Sequence, residues 1–402
     1  MGDHSLSERL GRLLSEPLES VRKRQQQTLL DIIGDFDQPF VLFGAGHLGR
    51  RVVSVLLELG QAPVAFIDNN PALWGTSIMG IEVMSPAQLA RRDHFSLPAV
   101  ITTIWCGEAS DRMADRLAPL RALGFERIAL FGHLAWLMPE KFLPYYSLDL
   151  PEHVIQAAVD VRKAFELLTD EESKRLFVDH VECRLFLNYD LLPLASSRAI
   201  YFNEHYANRR DDEVLYDIGA FNGDSIHGYI QSGRKHREIH SFEPARRNFS
   251  ALETTLAQLG GQTAGFYAHA LAVGDQIGEI LVESDCGAAA RVGAGKEVVR
   301  MSTIDELSKQ IAPATFIKID IEGFEPLCLE GGRQLIAQRH PVLAVCVYHE
   351  QTHLWSILLQ LHSYYDGYRF GLCQHLAEGW DLVLYAVPAD RVAHHSLNLQ
   401  TV

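Results

Sequence analysis

Three short stretches of this 402-residue chain gather residue types that do chemistry. The first is Asp217-Ile218-Gly219-Ala220-Phe221-Asn222-Gly223-Asp224. Its two glycines permit a tight turn and close approach of backbone to a ligand. A helix starting behind them would offer free N–H groups to a carboxylate. The second is Phe242-Glu243-Pro244, where an acid at a strand tip can accept both hydroxyls of a ribose. The third gathers Asp320, Glu322, Glu325, His349 and His375, acids and imidazoles at strand ends that can face a reacting group. His349 is the preferred general base, because histidine titrates near neutral pH, and Asp320 and Glu322 complete the expected catalytic set. The competing readings are a His349 that only holds hydrogen bonds and a Glu325 that only stabilises a helix start.

Two further patterns are weighed and set lower. His349-Glu350-Gln351-Thr352-His353 spells the HExxH of zinc proteases, but that motif must lie within one helix and His349 ends a strand. A divalent cation on Asp320, Glu322 and His349 is kept as an alternative, and no metal site is assigned. Upstream, Gly44, Gly46, His47, Leu48 and Gly49, with Asp68 beyond them, repeat the strand, glycine turn, helix and acid of a dinucleotide site. Alone this suggests NAD, hence an oxidoreductase or a non-catalytic nucleotide sensor. No dehydrogenase substrate domain follows it.

Alternating strands and helices must position these residues. Strands are predicted at Phe40–Phe43, Val64–Ile67, Ala99–Ile104 and Ile128–Phe131, then at Val214–Ile218, Ile239–Phe242, Gly265–Ala268, Phe316–Ile319, Val342–Val347, Tyr368–Phe370 and Leu382–Ala386. Only Glu378-Gly379-Trp380-Asp381 and its flanks separate the last two, too short for a parallel crossover, so they should pair antiparallel. The expected organisation is amphipathic helices at 1–35 broken near Pro17, a small α/β unit at 36–139, a helical connector at 140–212, and a seven-stranded α/β unit at 213–402. The leading helices suit either capping a domain or a homodimer contact.

Residues 165–388 resemble the FkbM family of methyltransferases. The resemblance is carried by Tyr201-Phe202, the 217–224 turn, Phe242-Glu243-Pro244, Ala270-Leu271-Ala272-Val273-Gly274-Asp275, Ser302-Thr303-Ile304-Asp305, the string Ile317 to Glu325 (IKIDIEGFE), and Val347-Tyr348-His349. It implies a class I, Rossmann-like sheet with its last strand antiparallel and S-adenosyl-L-methionine as cofactor. The cofactor would be held by Asp217, Gly219, Ala220, Phe221, Asn222, Gly223, Asp224, Phe242, Glu243 and Asp320. It also implies O-methylation of a small molecule, such as a sugar in surface-polysaccharide or natural-product biosynthesis. Phe66-Ile67-Asp68-Asn69-Asn70-Pro71, Trp74-Gly75-Thr76 and Gly80-Ile81-Glu82-Val83 are similar to the N-terminal domain of PglD-type sugar O-acetyltransferases. That similarity implies a nucleotide-sugar-like ligand for the first unit.

Composition narrows the partners. Against 36 Lys and Arg stand 51 Asp and Glu, a net charge of -15 that repels nucleic acid and favours a small acceptor. Six scattered cysteines without a CxxC pair, no signal-peptide pattern and no apolar run of spanning length give a cytoplasmic expectation.

Overall fold

The computed structural model describes residues 2–92, 96–104, 112–259, 265–282 and 295–393; Cys106 and Cys286 lie outside them. The chain opens with α1 (Gly2–Leu13) and α2 (Leu18–Ile33), separated at Pro17 as predicted. Leu6, Leu10 and Leu14 are buried in the core of the C-terminal sheet, whereas Leu29 and Ile33 belong to the core of the N-terminal one. The apolar faces that suited capping or dimerisation are therefore covered within the chain.

The N-terminal unit runs β1 (Phe40–Phe43), α3 (His47–Glu58), β2 (Ala65–Ile67), β3 (Ser77–Ile78), β4 (Ile81–Met84), α4 (Pro86–Arg92), β5 (Ala99–Thr102), α5 (Met113–Ala122), β6 (Ile128–Ala129), α6 (Phe131–Leu137) and α7 (Pro139–Phe142). Its sheet order is β3-β4-β2-β1-β5-β6, parallel throughout except for the β3–β4 hairpin. That hairpin escapes the sequence because its two-residue turn is Met79-Gly80, both at positive φ, rather than the Asn-Gly that usually marks such turns. The strand expected to reach Phe131 stops at Ala129. The Leu130 N–H meets His133 Nδ1 at 3.1 Å, which turns the chain into α6.

The connector holds α8 (Pro151–Gln156), α9 (Ala158–Leu167) and α10 (Glu171–Phe186), the last capped by Asp170 accepting from the Ser173 N–H at 2.7 Å. It is not helical to 212. Leu187 adopts left-handed φ 55°, and the chain then runs mostly irregular along the main sheet, with Ser196 N–H donating to Gln374 O. Its apolar spacing reads as helical because Tyr201, Phe202, Tyr206 and Ala207 are buried, but they pack as a strap on the main core.

The C-terminal unit runs β7 (Val214–Ile218), α11 (Asp224–Gln231), β8 (Glu238–Phe242), α12 (Arg246–Leu259), β9 (Phe266–His269), β10 (Ala272–Val273), β11 (Gly278–Val282), β12 (Glu297–Ser302), α13 (Ile304–Gln310), β13 (Phe316–Ile319), α14 (Glu325–Glu330), α15 (Arg333–Arg339), β14 (Val342–Cys346), α16 (His353–Tyr364), β15 (Tyr368–Gln374) and β16 (Leu382–Pro388). Seven strands form one sheet in the order β15-β16-β14-β13-β7-β8-β9. β16 alone runs antiparallel to its neighbours, as the short last turn requires. Between β7 and β13 the order of connection reverses, the place where open α/β sheets leave a crevice at the carboxyl ends of their strands. A small β10-β12-β11 sheet was not anticipated, since its strands are short and largely exposed. Among the described residues no helix is long and apolar enough to cross a membrane.

At the opposite end of the strands, Glu213 is 1% exposed and pairs with Arg391 at 2.8 Å. Arg391 also donates to the Asn208 carbonyl, tying the strap and the chain's last described turn to the start of β7. Arg391→Met should lower the unfolding free energy by roughly 3–5 kcal/mol, because a buried carboxylate loses its partner. Urea denaturation measures this, and a loss under about 1 kcal/mol would mean the pair behaves as a surface one.

Candidate active site

The floor of the crevice is set by one buried lysine. Lys318, on β13, donates to the Gly219 carbonyl at 2.5 Å and lies 3.3 Å from Asp217 of β7. Burial works against its charge, but Asp217, Asp320 and Asp224 hold its pKa above the ordinary value. Asp217 also accepts from the Ser225 hydroxyl at 2.6 Å, fixing the start of α11. Gly219, at φ 80°, lets the two strand tips meet: a Cβ there would stand 1.9 Å from the Asp320 carbonyl.

Beyond β13 the chain makes a tight loop, with Glu322 at φ 56° and Gly323 at φ 105°. Glu325, 0% exposed, clasps that loop by accepting from the N–H groups of Ile321 at 2.9 Å and Gly323 at 3.1 Å. The same carboxylate meets His349 Nδ1 at 2.8 Å. On the other side of the ring, Nε2 lies 3.4 Å from Asp320 and 3.5 Å from Glu322. Burial disfavours a charged ring, but Glu325 and Glu322 outweigh it and hold the His349 pKa well above its ordinary value. Burial likewise opposes ionisation of Glu325, yet His349, His353 and the loop N–H groups bring its pKa down to about 2. His353, which starts α16, is lowered to about 4 by burial and stays neutral.

A cavity of about 340 Å³ opens above this loop. Gly219, Phe221, Asp224 and Glu243 line it together with Asp320, Glu322, Tyr201, Tyr348 and Asp381. Glu243 accepts from the Phe221 and Ala245 N–H groups at 2.9 Å each, and burial pushes its pKa up to about 7. The Tyr201 hydroxyl donates to Asp320 at 2.7 Å.

Of the residues expected from sequence, Gly219, Phe221, Asp224, Glu243, Asp320 and Glu322 border this cavity. Asp217, Ala220, Asn222, Gly223 and Phe242 do not: they form the support beneath it. The Asp217 carboxylate is turned inward to Lys318 and Ser225, and Gly223 packs its α-carbon against Leu252 and Thr255. His349 is 3% exposed and lies behind Asp320 and Glu322, held as an imidazolium rather than presented as a free base. His375 faces Tyr385 at 3.2 Å, lowered to about 4 by burial, and does not line the cavity. Tyr348, although inside the string Val347-Tyr348-His349, and Asp381, in the last turn, received no role from the sequence because neither type at its place points to a particular chemistry. Asp320, Glu325 and His349 bring ligand-type atoms within 4.8 Å of one another. Glu325 already accepts from two backbone N–H groups and faces His349, so hydrogen bonding and charge pairing account for this cluster without an ion.

In the N-terminal unit, Gly44 (φ 112°), Gly46, His47, Leu48 and Gly49 form the expected turn into α3. A Cβ on Gly49 would stand 2.0 Å from the Gly44 carbonyl, so that glycine serves helix–strand packing. Asp68 accepts from the Ala45 N–H through one oxygen and from the Asn70 N–H through the other, both at 2.7 Å. Its carboxylate thereby braces the glycine turn, as Glu243 does in the main unit.

The Glu325–His349 pair should be measurable. Glu325→Gln is expected to cost roughly 3–5 kcal/mol in urea unfolding, by leaving a buried imidazolium without its principal partner. The sign follows from the two shifts. Stability from the lowered Glu325 is full above the ordinary 4.5 and fades as pH falls towards about 2. Stability from the raised His349 is full below the ordinary 6.5 and fades as pH rises through its folded pKa. The deficit of the variant should therefore be greatest between those two ordinary values.

The methyltransferase FkbM domain, as a sequence model, matches residues 217–370, a shorter span than the resemblance read from motifs. Methyltransferase FkbM from Methylobacillus flagellatus KT shares the fold with a TM-score of 0.76 at 20% identity, covering 96% of this chain and 98% of that one. At that identity the likeness speaks for fold alone, and it takes in the N-terminal unit as well as the main sheet. A UDP-D-quinovosamine 4-dehydrogenase from Vibrio fischeri aligns over 26% of this chain and 86% of its own, at 22% identity and a TM-score of 0.21. An rRNA methylase from Streptococcus thermophilus aligns over 46% and 90%, at 13% identity and 0.30. Scores that low carry no argument. No curated protein matches the sequence. The glycine turn, Glu243 and the loop clasped by Glu325 all fall inside residues 217–370, the span of this chain that matches the methyltransferase FkbM domain.

Proposed function

We propose that the cavity binds S-adenosyl-L-methionine at its Glu243 end and that the methyl group passes to a hydroxyl of a small acceptor at its Asp320 end. The observation that carries this is one cavity bordered by a glycine turn, a strand-end acid and a set of carboxylates and phenols. On this reading the two ribose hydroxyls donate to Glu243, and the α11 start and Phe221 border the rest of the cofactor. Methyl transfer from a sulfonium is an in-line displacement, so the enzyme's task is to align the acceptor oxygen and keep water out. Asp320, positioned by Tyr201 and backed by His349, is placed to orient the acceptor.

The lining also speaks to the acceptor. Lys318 is the one basic side chain among the residues lining the cavity, and its ammonium is committed to Gly219 and Asp217. A phosphate close to the reacting hydroxyl would meet carboxylates and gain no partner. A neutral polyol, such as a sugar within a glycan or glycoside, suits these walls better than the sugar of a nucleotide diphosphate. The N-terminal unit is read as a support for this site, because Arg116 of α5 pairs with Glu378 in the turn that carries Asp381.

Three measurements test this. Calorimetry should show S-adenosylhomocysteine binding, weakened in Glu243→Ala by about 1.5–3 kcal/mol through loss of a charged acceptor. Because Glu243 is raised to about 7, it is protonated in the free protein at pH 6, whereas hydroxyl donors favour its ionised form. Binding at pH 6 should therefore release a proton, seen as heat that changes with the buffer, and affinity should rise up to about pH 7. Unchanged affinity in the variant removes Glu243 from the site. NAD(H) should bind no tighter than millimolar, and micromolar binding lost in Asp68→Ala would restore an oxidoreductase reading.

A further inference from the structure

The turn that joins β15 to β16 does more than close a hairpin. Because β16 runs antiparallel, its first residue lies at the carboxyl ends of the neighbouring strands, and Asp381 just before it reaches the cavity. The turn is held in a strained shape, with Glu378 at φ 58°, Gly379 at 86° and Asp381 at 48°. Left-handed non-glycine residues persist only where surroundings fix them. Those surroundings are visible. Arg116 of α5 pairs with buried Glu378. Trp380 packs edge-on against Tyr146 at 4.7 Å and Tyr348 at 5.7 Å. The Asp381 carbonyl accepts from the His375 N–H at 3.1 Å.

Charged and titratable groups face the Asp381 carboxyl from several elements: Asp320 after β13, Asp224 at the start of α11, Cys346, Tyr348 and His349 at the end of β14, and Tyr201 on the strap. Tyr348 hydrogen-bonds to it and His349 attracts it, while Asp320 and Asp224 repel it. Of the carboxylates lining the cavity, Asp320 and Glu322 flank the His349 ring, and Asp320 also holds Tyr201. Asp381 borders the same cavity from a different element, the turn before β16, and accepts from Tyr348.

We propose that Asp381 is the general base of the methyl transfer, an inference that rests on the cofactor reading above. The acceptor oxygen forms its bond to the methyl carbon as the S–CH₃ bond breaks. The sulfur keeps that electron pair and becomes the neutral thioether of S-adenosylhomocysteine. The hydroxyl proton passes to an Asp381 oxygen and leaves to water when the products depart. Asp381 lies outside the matched domain span, in a turn whose shape is fixed in part by Arg116 of the N-terminal unit and Tyr146 of the connector. Burial, and then Asp320, push its pKa up to about 6, which suits proton acceptance near neutral pH.

The test compares the full chain with Asp381→Asn. Carbon-13 labelling of aspartate carboxyls, read by NMR in the S-adenosylhomocysteine complex, should show one carboxyl titrating near pH 6 that is absent from the variant. Release of S-adenosylhomocysteine should be followed with a panel of methyl glycosides and glycerol as acceptors. On any that is methylated, Asp381→Asn should lose roughly 10²–10⁴-fold in turnover while binding S-adenosylhomocysteine as tightly as the parent. The parent's fall in turnover below about pH 6 should vanish in the variant, which a merely structural role for the turn would not produce. An Asp381 carboxyl that titrates below about pH 5, or a variant of full activity, overturns the proposal while leaving the cofactor reading intact. Failure of the parent to bind S-adenosylhomocysteine would sink both.

Discussion

Everything at the reacting end of this molecule depends on one buried charge pair, Glu325 with His349. Neither side chain reaches the cavity, yet each fixes something that does. Glu325 holds the loop after β13 through two backbone N–H groups, and that loop aims Asp320 and Glu322. His349 supplies the positive charge that lets two further carboxylates stand beside Glu325. Remove the imidazolium and three carboxylates crowd together in a poorly solvated space, with Lys318 already committed to Asp217. Such a pair contributes little net stability over apolar packing, but breaking it is costly. Its value lies in specifying one arrangement.

The second dependence runs between the two α/β units. Asp381 belongs to a turn of the C-terminal sheet, but the rest of that turn leans on Tyr146 and Arg116 from earlier in the chain. Gln351, two residues past His349, donates to the Leu150 carbonyl of the segment leading into α8. The N-terminal unit, through Arg116, and the connector, through Tyr146 and Leu150, thus brace segments next to the cavity. A glycine turn shaped like a nucleotide site can persist for its packing alone, since Gly49 lets α3 approach β1 and Asp68 pins the turn.

The fold was legible because its strands are buried on both faces and read as unbroken apolar runs such as Val342 to Cys346. The antiparallel last strand followed from the length of one turn. What failed did so for local reasons. Phe131 reads as strand because it is apolar, but His133 caps the chain into a helix there. Residues 195–212 carry helix-like spacing, yet their aromatic side chains are anchored one at a time on the sheet. At the cavity, residue type and strand-end position identified Glu243, Asp320 and Glu322. They could not separate the residues that face the cavity from those that hold it. Asp217 and Gly223 sit in the same motif as Gly219, but Lys318, on a strand about a hundred residues later, turns the Asp217 carboxylate inward, and Leu252 and Thr255 of α12 close over Gly223.

His349 shows why histidine chemistry resists reading from sequence. A free imidazole near pH 7 is a serviceable base, and position alone favours it. Three carboxylates around a buried ring turn the same residue into a fixed cation that serves as counter-ion. On the proposed reading this has a consequence for mechanism. The acceptor's hydroxyl sits among Asp320, Glu322 and Asp381, and the lining offers no uncommitted cation to stabilise an alkoxide formed in advance. Negative walls disfavour an oxyanion more strongly as water leaves the site. The proton must therefore move as the carbon–oxygen bond forms, when charge on the attacking oxygen is being neutralised by the sulfonium. Asp381, a carboxylate on the cavity lining that is not paired with the His349 ring, is the group such a concerted step calls for.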